Sequence, residues 1–276
     1  MTRALYKPDY GNRAIAPSRV AMRIPLRPGI KSPLKHRRYA ERMTIGIAAH
    51  ATFGFKPRIV VCSDWLIGDG LSSIEHDDKI YVRFPGRLVA LWSGALADVK
   101  DLLRICHRRI GQEVDVDALR AELHLSVKEF VASLRKRGRK TTDADLIVTG
   151  FVGAEPVLIS INQNGVFDLP SFHAIGSGAM YADPLLRWRA TAQLNPMSNI
   201  HDVLYRVFEA KRFAETCDSV GERTTIIIIS PVTGGLEFHY LSDDALQFLH
   251  GEVQKYGPQV LPLERENLRD FPDVIS

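Results

Sequence analysis

Short β-branched apolar runs, punctuated by glycine and proline, open the patterned part of the chain. TIGIAAHAT (Thr44 to Thr52) and RIVVCSD (Arg58 to Asp64) flank Phe53, Gly54, Phe55, Lys56 and Pro57, which predicts a hairpin. KIYVRF (Lys79 to Phe84) and LVALWS (Leu88 to Ser93), joined by Pro85, Gly86 and Arg87, predict a second pair. From Ala95 the apolar spacing lengthens to three and four: Leu96, Val99, Leu102, Leu103 and Cys106 define a helix, with Asp98 and Asp101 towards its positive end. Leu119, Leu123, Val127, Phe130 and Leu134 stripe a second helix from about Asp117 to Lys136. Strands return at Ala144 to Phe151, Pro156 to Ile161, Gly165 to Leu169 and Phe172 to Ile175, followed by the Gly176-Ser177-Gly178 turn. Helices are predicted for Ala179 to Leu194 and Asn199 to Thr216, strands for Thr224 to Ser230 and Leu236 to Tyr240, and a last helix for Asp243 to Tyr256.

Strands, two helices, strands, two helices, strands and a helix form a block pattern, unlike the βαβα alternation of doubly wound folds. The expectation is an α+β two-sheet sandwich with helices on each outer face. No apolar run approaches the roughly 18 residues of a membrane span, the longest candidate being Ile226 to Ile229, so no membrane partner is expected. Cys62, Cys106 and Cys217 are an odd number without a CxxC pair, which speaks against a disulfide framework or thiolate zinc site and for a reducing, cytoplasmic setting.

Charge is unevenly divided. Residues 1–43 hold 11 Lys and Arg against Asp9 and Glu41, a net of +9, so the whole-chain +4 leaves the rest at −5. Five of the 15 prolines (Pro8, Pro17, Pro25, Pro28, Pro33) interrupt any helix in that segment, which is read as a disordered basic extension, a propeptide or a mis-assigned start. A transit segment or nucleic-acid arm is the lesser alternative, and no nucleic-acid partner is expected. Residues 44–256 are read as the folded domain, and 257–276, with Pro258, Pro262 and Pro272, as a loose tail.

One polar constellation stands out: Thr44 at the start of the first strand, Asp64 at the end of the second and Lys79 at the start of the third. Antiparallel pairing returns neighbouring strand ends to within about 5 Å of each other. The segments MTIGIAAHA, IVVCSDW, DDKIYV, ALWSGALADVKDLL and AIGSGAMYADP, in this order, resemble proteasome β subunits and their bacterial relatives, the N-terminal nucleophile (Ntn) hydrolases with a threonine nucleophile. The resemblance runs from about Thr44 to Ser230. It implies a four-layer αββα sandwich, with Thr44 as nucleophile, Asp64 and Lys79 as its charged partners, Gly94 as oxyanion donor, Ser177 as supporting serine and Asp218 as the later aspartate. Three residues beyond Asp218 the family usually has a serine where this chain has Gly221, and Ser219 is a possible substitute. Ile67, Tyr81 and Trp92 are candidates for a substrate pocket.

A threonine hydroxyl is a weak nucleophile until a base takes its proton, and a free α-amino group, with a pKa of about 7.7–8.0, suits that role near neutral pH. A neighbouring lysine ammonium lowers the amine's proton affinity, and an aspartate offsets the cost of burying that ammonium. The chemistry needs an unblocked Thr44. Residues 1–43 must therefore be absent from the active form, and initiation at Met43 followed by methionine removal is one route. Autolysis there would depart from family propeptides, which commonly end in glycine.

Plainer readings stay open beside each assignment: Thr44 as a strand threonine, Asp64 and Lys79 as a structural ion pair, the glycines as turns, Ser177 as a helix cap, Asp218 as a loop charge, and Ile67, Tyr81 and Trp92 as core. Glu75, His76, Asp77 and Asp78 lack converging spacing, so no metal or other cofactor is expected. The basic run Arg135 to Lys140 is read as a solvated helix end, and Cys62 as core.

The resulting expectation is a proteasome-like threonine peptidase that cuts peptides or unfolded proteins inside a homo-oligomeric ring, with an ATPase unfoldase as a possible partner. The alternatives are a non-catalytic ring subunit and an Ntn amidase acting on a small-molecule amide.

Overall fold

Ten of twelve strands and all five helices follow the apolar pattern in the computed structural model, which describes residues 44–68, 73–75, 79–84, 87–111, 115–169, 171–192, 199–216 and 220–257. The expected N-terminal extension, the tail beyond 257, and the positions of Asp218 and Ser219 lie outside these residues. The first sheet orders β10 (Phe172–Ile175), β1 (Gly46–Phe53), β2 (Lys56–Asp64), β11 (Thr224–Val232) and β12 (Gly235–Tyr240). The second orders β5 (Ile80–Phe84), β6 (Leu88–Ser93), β7 (Asp145–Val152), β8 (Glu155–Asn162) and β9 (Gly165–Asp168). Within both sheets neighbouring strands pair antiparallel. A ribbon of β3 (Leu66–Gly68) and β4 (Ser73–Glu75), which the apolar pattern did not predict, stands apart from both.

Period-two alternation sorts the side chains. On β2, Ile59 and Val61 join Val89 and Leu91 of β6, Ile147 of β7 and Ile227 and Ile229 of β11 in one apolar cluster, contributed by both sheets. Val60 and Cys62 face the opposite way, into a cluster with Leu204, Val207 and Phe208 of α4 (Ile200–Ala214) and Ala182 of α3 (Ala179–Ala192). Trp92 and Leu146 pack with Val99 and Leu102 of α1 (Leu96–Arg109) and with Leu119, Leu123 and Phe130 of α2 (Val116–Lys136). Asp115 caps α2, its side chain accepting the Ala118 N–H at 2.7 Å, and Ser242 caps α5 (Asp243–Tyr256) through the Ala245 N–H at 3.3 Å.

The four-layer αββα expectation is corrected to a sheet-rich body of two five-stranded antiparallel sheets, an extra ribbon and five unevenly disposed helices. While α1 packs on β6, α2 on β8 and β9, α3 on β10 and α4 on β1 and β2, α5 rests mainly on α4. Periodicity reports which face of an element is apolar, not which neighbour covers it, so a layer count was beyond it. Among the described residues no helix is long and apolar enough to cross a membrane.

Candidate active site

Thr44 and Ile45 lie just before β1, and the chain there is gripped from two sides. Ile45 donates its N–H to Asp64 Oδ1 at 3.0 Å, and its carbonyl accepts the Asp64 N–H at 3.3 Å. The Gly176-Ser177-Gly178 turn after β10 closes the other side: Gly178 N–H donates to the Thr44 carbonyl at 3.3 Å, and the Thr44 nitrogen donates to Ser177 Oγ at 3.3 Å. Gly176 has φ of +89°, and a Cβ there would sit 2.1 Å from the Thr44 carbonyl oxygen, so the turn is built for glycine.

Asp64, the last residue of β2, gathers the polar groups. Its Oδ1 accepts the Thr44 hydroxyl at 2.7 Å and Lys79 Nζ at 2.5 Å, while its Oδ2 accepts the Gly221 N–H at 2.9 Å. Lys79, immediately before β5, also donates to Thr44 Oγ1. The hydroxyl is therefore both donor to a carboxylate and acceptor from an ammonium. Relative exposures are 4% for Thr44 and 1% each for Asp64 and Lys79, so these contacts replace water almost completely. Burial holds the Lys79 ammonium below the ordinary lysine value; Asp64 pulls it back up through its charge and hydrogen bond, and Lys211 pushes it down.

The structure thus brings together Thr44, Asp64, Lys79 and Ser177, four residues singled out in the sequence. Gly94 lies in the turn between β6 and α1 with φ of +93°; a Cβ there would sit 2.0 Å from the Asp143 carbonyl oxygen. Asp143 Oδ1 accepts the next N–H, from Ala95, at 3.2 Å. Trp92 is 6% exposed in the apolar cluster beneath α1 and α2, and Tyr81 is partly buried against the same cluster. Ile67 pairs with Ile74 in the β3–β4 ribbon.

Two contributors were not foreseen. Gly221, flagged only as a departure from the family pattern, supplies a backbone N–H that no side-chain motif could announce. Lys211 of α4 is 0% exposed although its sequence neighbours read as an ordinary charged helix end. Among the described residues no group of three or more His, Cys, Asp or Glu side chains could hold a metal ion; His76, Asp77 and Asp78 lie outside them.

No family model and no curated protein matches the sequence. Solved structures do match by shape. The Anbu (Gly-1) mutant from Hyphomicrobium sp. strain MC1 superposes with a TM-score of 0.59 at 16% identity, covering 77% of this chain and 95% of that one. Anbu (ancestral beta-subunit) from Yersinia bercovieri gives 0.57 at 17% identity, covering 79% and 98%. Nearly the whole length of each neighbour is matched, and the chain accordingly shares the fold of these Anbu structures.

Proposed function

We propose that this protein is a threonine-type peptidase whose mature chain begins at Thr44 and which works in a ring assembly. The observation that carries the reading is the buried Thr44 hydroxyl held between Asp64 and Lys79. In the reaction the Thr44 oxygen attacks the peptide carbonyl carbon while its proton passes to the Thr44 α-amine. The carbonyl oxygen becomes an oxyanion that accepts a hydrogen bond from the Gly94 N–H, a donor whose loss typically costs about 3–4 kcal/mol. Collapse expels the amine product, which takes the proton from the α-ammonium, and leaves an ester on Thr44. Water, deprotonated by the same amine, hydrolyses that ester and restores the hydroxyl. Lys79 stabilises negative charge at the Thr44 oxygen, and Asp64 holds Lys79 in place. Ring assembly and an unfoldase partner follow from the resemblance to proteasome β subunits.

The test uses the purified protein with its N-terminus determined by intact mass. Thr44→Ala should abolish peptide turnover and reaction with a β-lactone probe; wild-type turnover in that variant would remove the proposal. A native protein that retains residues 1–43 and fails to react with the probe would instead be a non-catalytic subunit. Turnover of small amides without peptide cleavage would mark an amidase.

A further inference from the structure

Lys211 is an ammonium where an apolar residue would be expected. It lies in the last turns of α4 among Val207, Phe208, Ala210 and Ala214, all buried. Sealing an ammonium from water costs several kcal/mol unless it is well paired, whereas packing alone would be served by methionine or leucine. The pairing is specific. Lys211 Nζ forms an ion pair with Glu215, which Arg212 also contacts, and donates to the backbone carbonyl of Glu222 at 2.7 Å. The side chain therefore ties the end of α4 to the chain entering β11. Directly before that anchored carbonyl comes Gly221, whose N–H donates to Asp64 Oδ2 at 2.9 Å, and before it Val220, buried at 6% exposure. With Oδ2 occupied, Oδ1 is left to receive Thr44, Ile45 and Lys79.

We propose that Lys211 is a positioning residue for the Thr44 centre, acting through the Glu222 carbonyl and the Gly221 N–H to fix the Asp64 carboxylate. The inference deepens the hydrolase reading and rests on it. Charge adds a second route. Lys79 faces Asp64 on β2, Thr44 ahead of β1 and, through space, Lys211 on α4; Lys211 faces Glu215, Cys62 and Lys79. Burial is the larger reason that Lys79 binds its proton weakly, and the Lys211 charge adds to it. Loss of that charge lets Lys79 keep its proton to higher pH.

The experiment compares wild type with Lys211→Met, which preserves length and packing, and with Lys211→Arg, which preserves charge. Wild type should label at Thr44 with a β-lactone. In Lys211→Met the labelling rate and kcat should fall by roughly tenfold to a hundredfold with KM within a factor of about two, the expectation for a displaced reacting group rather than lost binding. The alkaline limb of its pH–rate profile should move to higher pH, and Lys211→Arg should recover much of the rate. A role in stability alone would lower Tm without moving that limb. Should Lys211→Met not fold, Glu215→Gln, which removes the ion pair that holds Lys211 Nζ at the Glu222 carbonyl and so loosens the clamp, is expected to slow labelling several-fold at unchanged KM. Folded variants with wild-type kcat and pH profile overturn the inference while leaving the hydrolase reading intact. Absence of Thr44 labelling in wild type overturns both.

Discussion

Replacing Asp64 with asparagine changes one atom and one charge at the point where four hydrogen bonds converge. The Lys79 ammonium, at 1% exposure, loses its counter-charge, and breaking a buried pair from one side costs about 3–5 kcal/mol. The new amide can still present its oxygen to Thr44, Ile45 and Lys79, but its NH2 then meets the Gly221 N–H, leaving a buried donor unmatched at about 1–3 kcal/mol. Because these terms overlap, about 4 kcal/mol is expected, which for a body of this size lowers Tm by about 8–16 °C. The penalty should depend on pH with a defined sign. Folding already depresses the Lys79 proton affinity, so the unfolded chain binds that proton more tightly and stability rises with pH from the folded value up to the ordinary 10.5. Without the Asp64 charge the folded value drops further and this window opens at lower pH. The deficit of Asp64→Asn relative to wild type is therefore largest below the window and shrinks as pH is raised. Thermal or urea denaturation at matched protein concentration, from about pH 6 to pH 9.5, measures it. A deficit constant across that range, or an asparagine variant as stable as wild type, would refute the charge argument.

Gly176→Ala should displace Thr44, because the added carbon falls 2.1 Å from its carbonyl oxygen at a φ of +89°; lost β-lactone labelling together with a lower Tm is the expected outcome. Burial pushes the Cys62 thiol up to about 12 and that of Cys106 up to about 12, so neither should react with a thiol reagent near pH 8 until the protein unfolds, as thiol titration before and after denaturation will show. Burial, aided by the neighbouring Asp143, raises the Asp145 carboxyl from 3.8 to about 6. Its contribution to stability is present below the unfolded value and lost as pH rises through the folded one, so Asp145→Asn should flatten the Tm–pH curve between about pH 4 and pH 6 and raise Tm at pH 7.

Much of this body was legible in the apolar pattern because each long strand and helix buries a face whose period repeats within the element itself. The β1–β2 hairpin, the two striped helices and the Gly176 turn all follow from residues close in sequence. What escaped detection depends on distant partners. The β3–β4 ribbon is two runs of three residues, too short for alternation to register. Placement of α5 on α4 is decided by its neighbours, since only Ala245 and Leu249 of that helix are buried. At the site, Thr44, Asp64 and Lys79 carried a signal because hydroxyl, carboxylate and amine chemistry is written in side chains. Trp92 and Tyr81 suit either role, so sequence left pocket and core equal; Trp92 packs in the cluster beneath α1 and α2, with Tyr81 partly buried against it. Gly221 acts through its backbone, and Lys211 is distinguished only by burial.

Lys79 leads into the second sheet, whereas Asp64 ends one strand of the first and Thr44 lies just ahead of another. Beside the Lys79 contacts with Thr44 and Asp64, the sheets meet through interdigitated apolar side chains in the cluster they share, a contact with no hydrogen-bond ladder to fix its alignment. A sideways slip of an ångström there would part hydroxyl from ammonium long before either ladder unzips. The proposed reactivity at Thr44 is then a vernier on how the sheets are seated, and it should fade under mild pressure or cosolvent while circular dichroism still reports an intact protein.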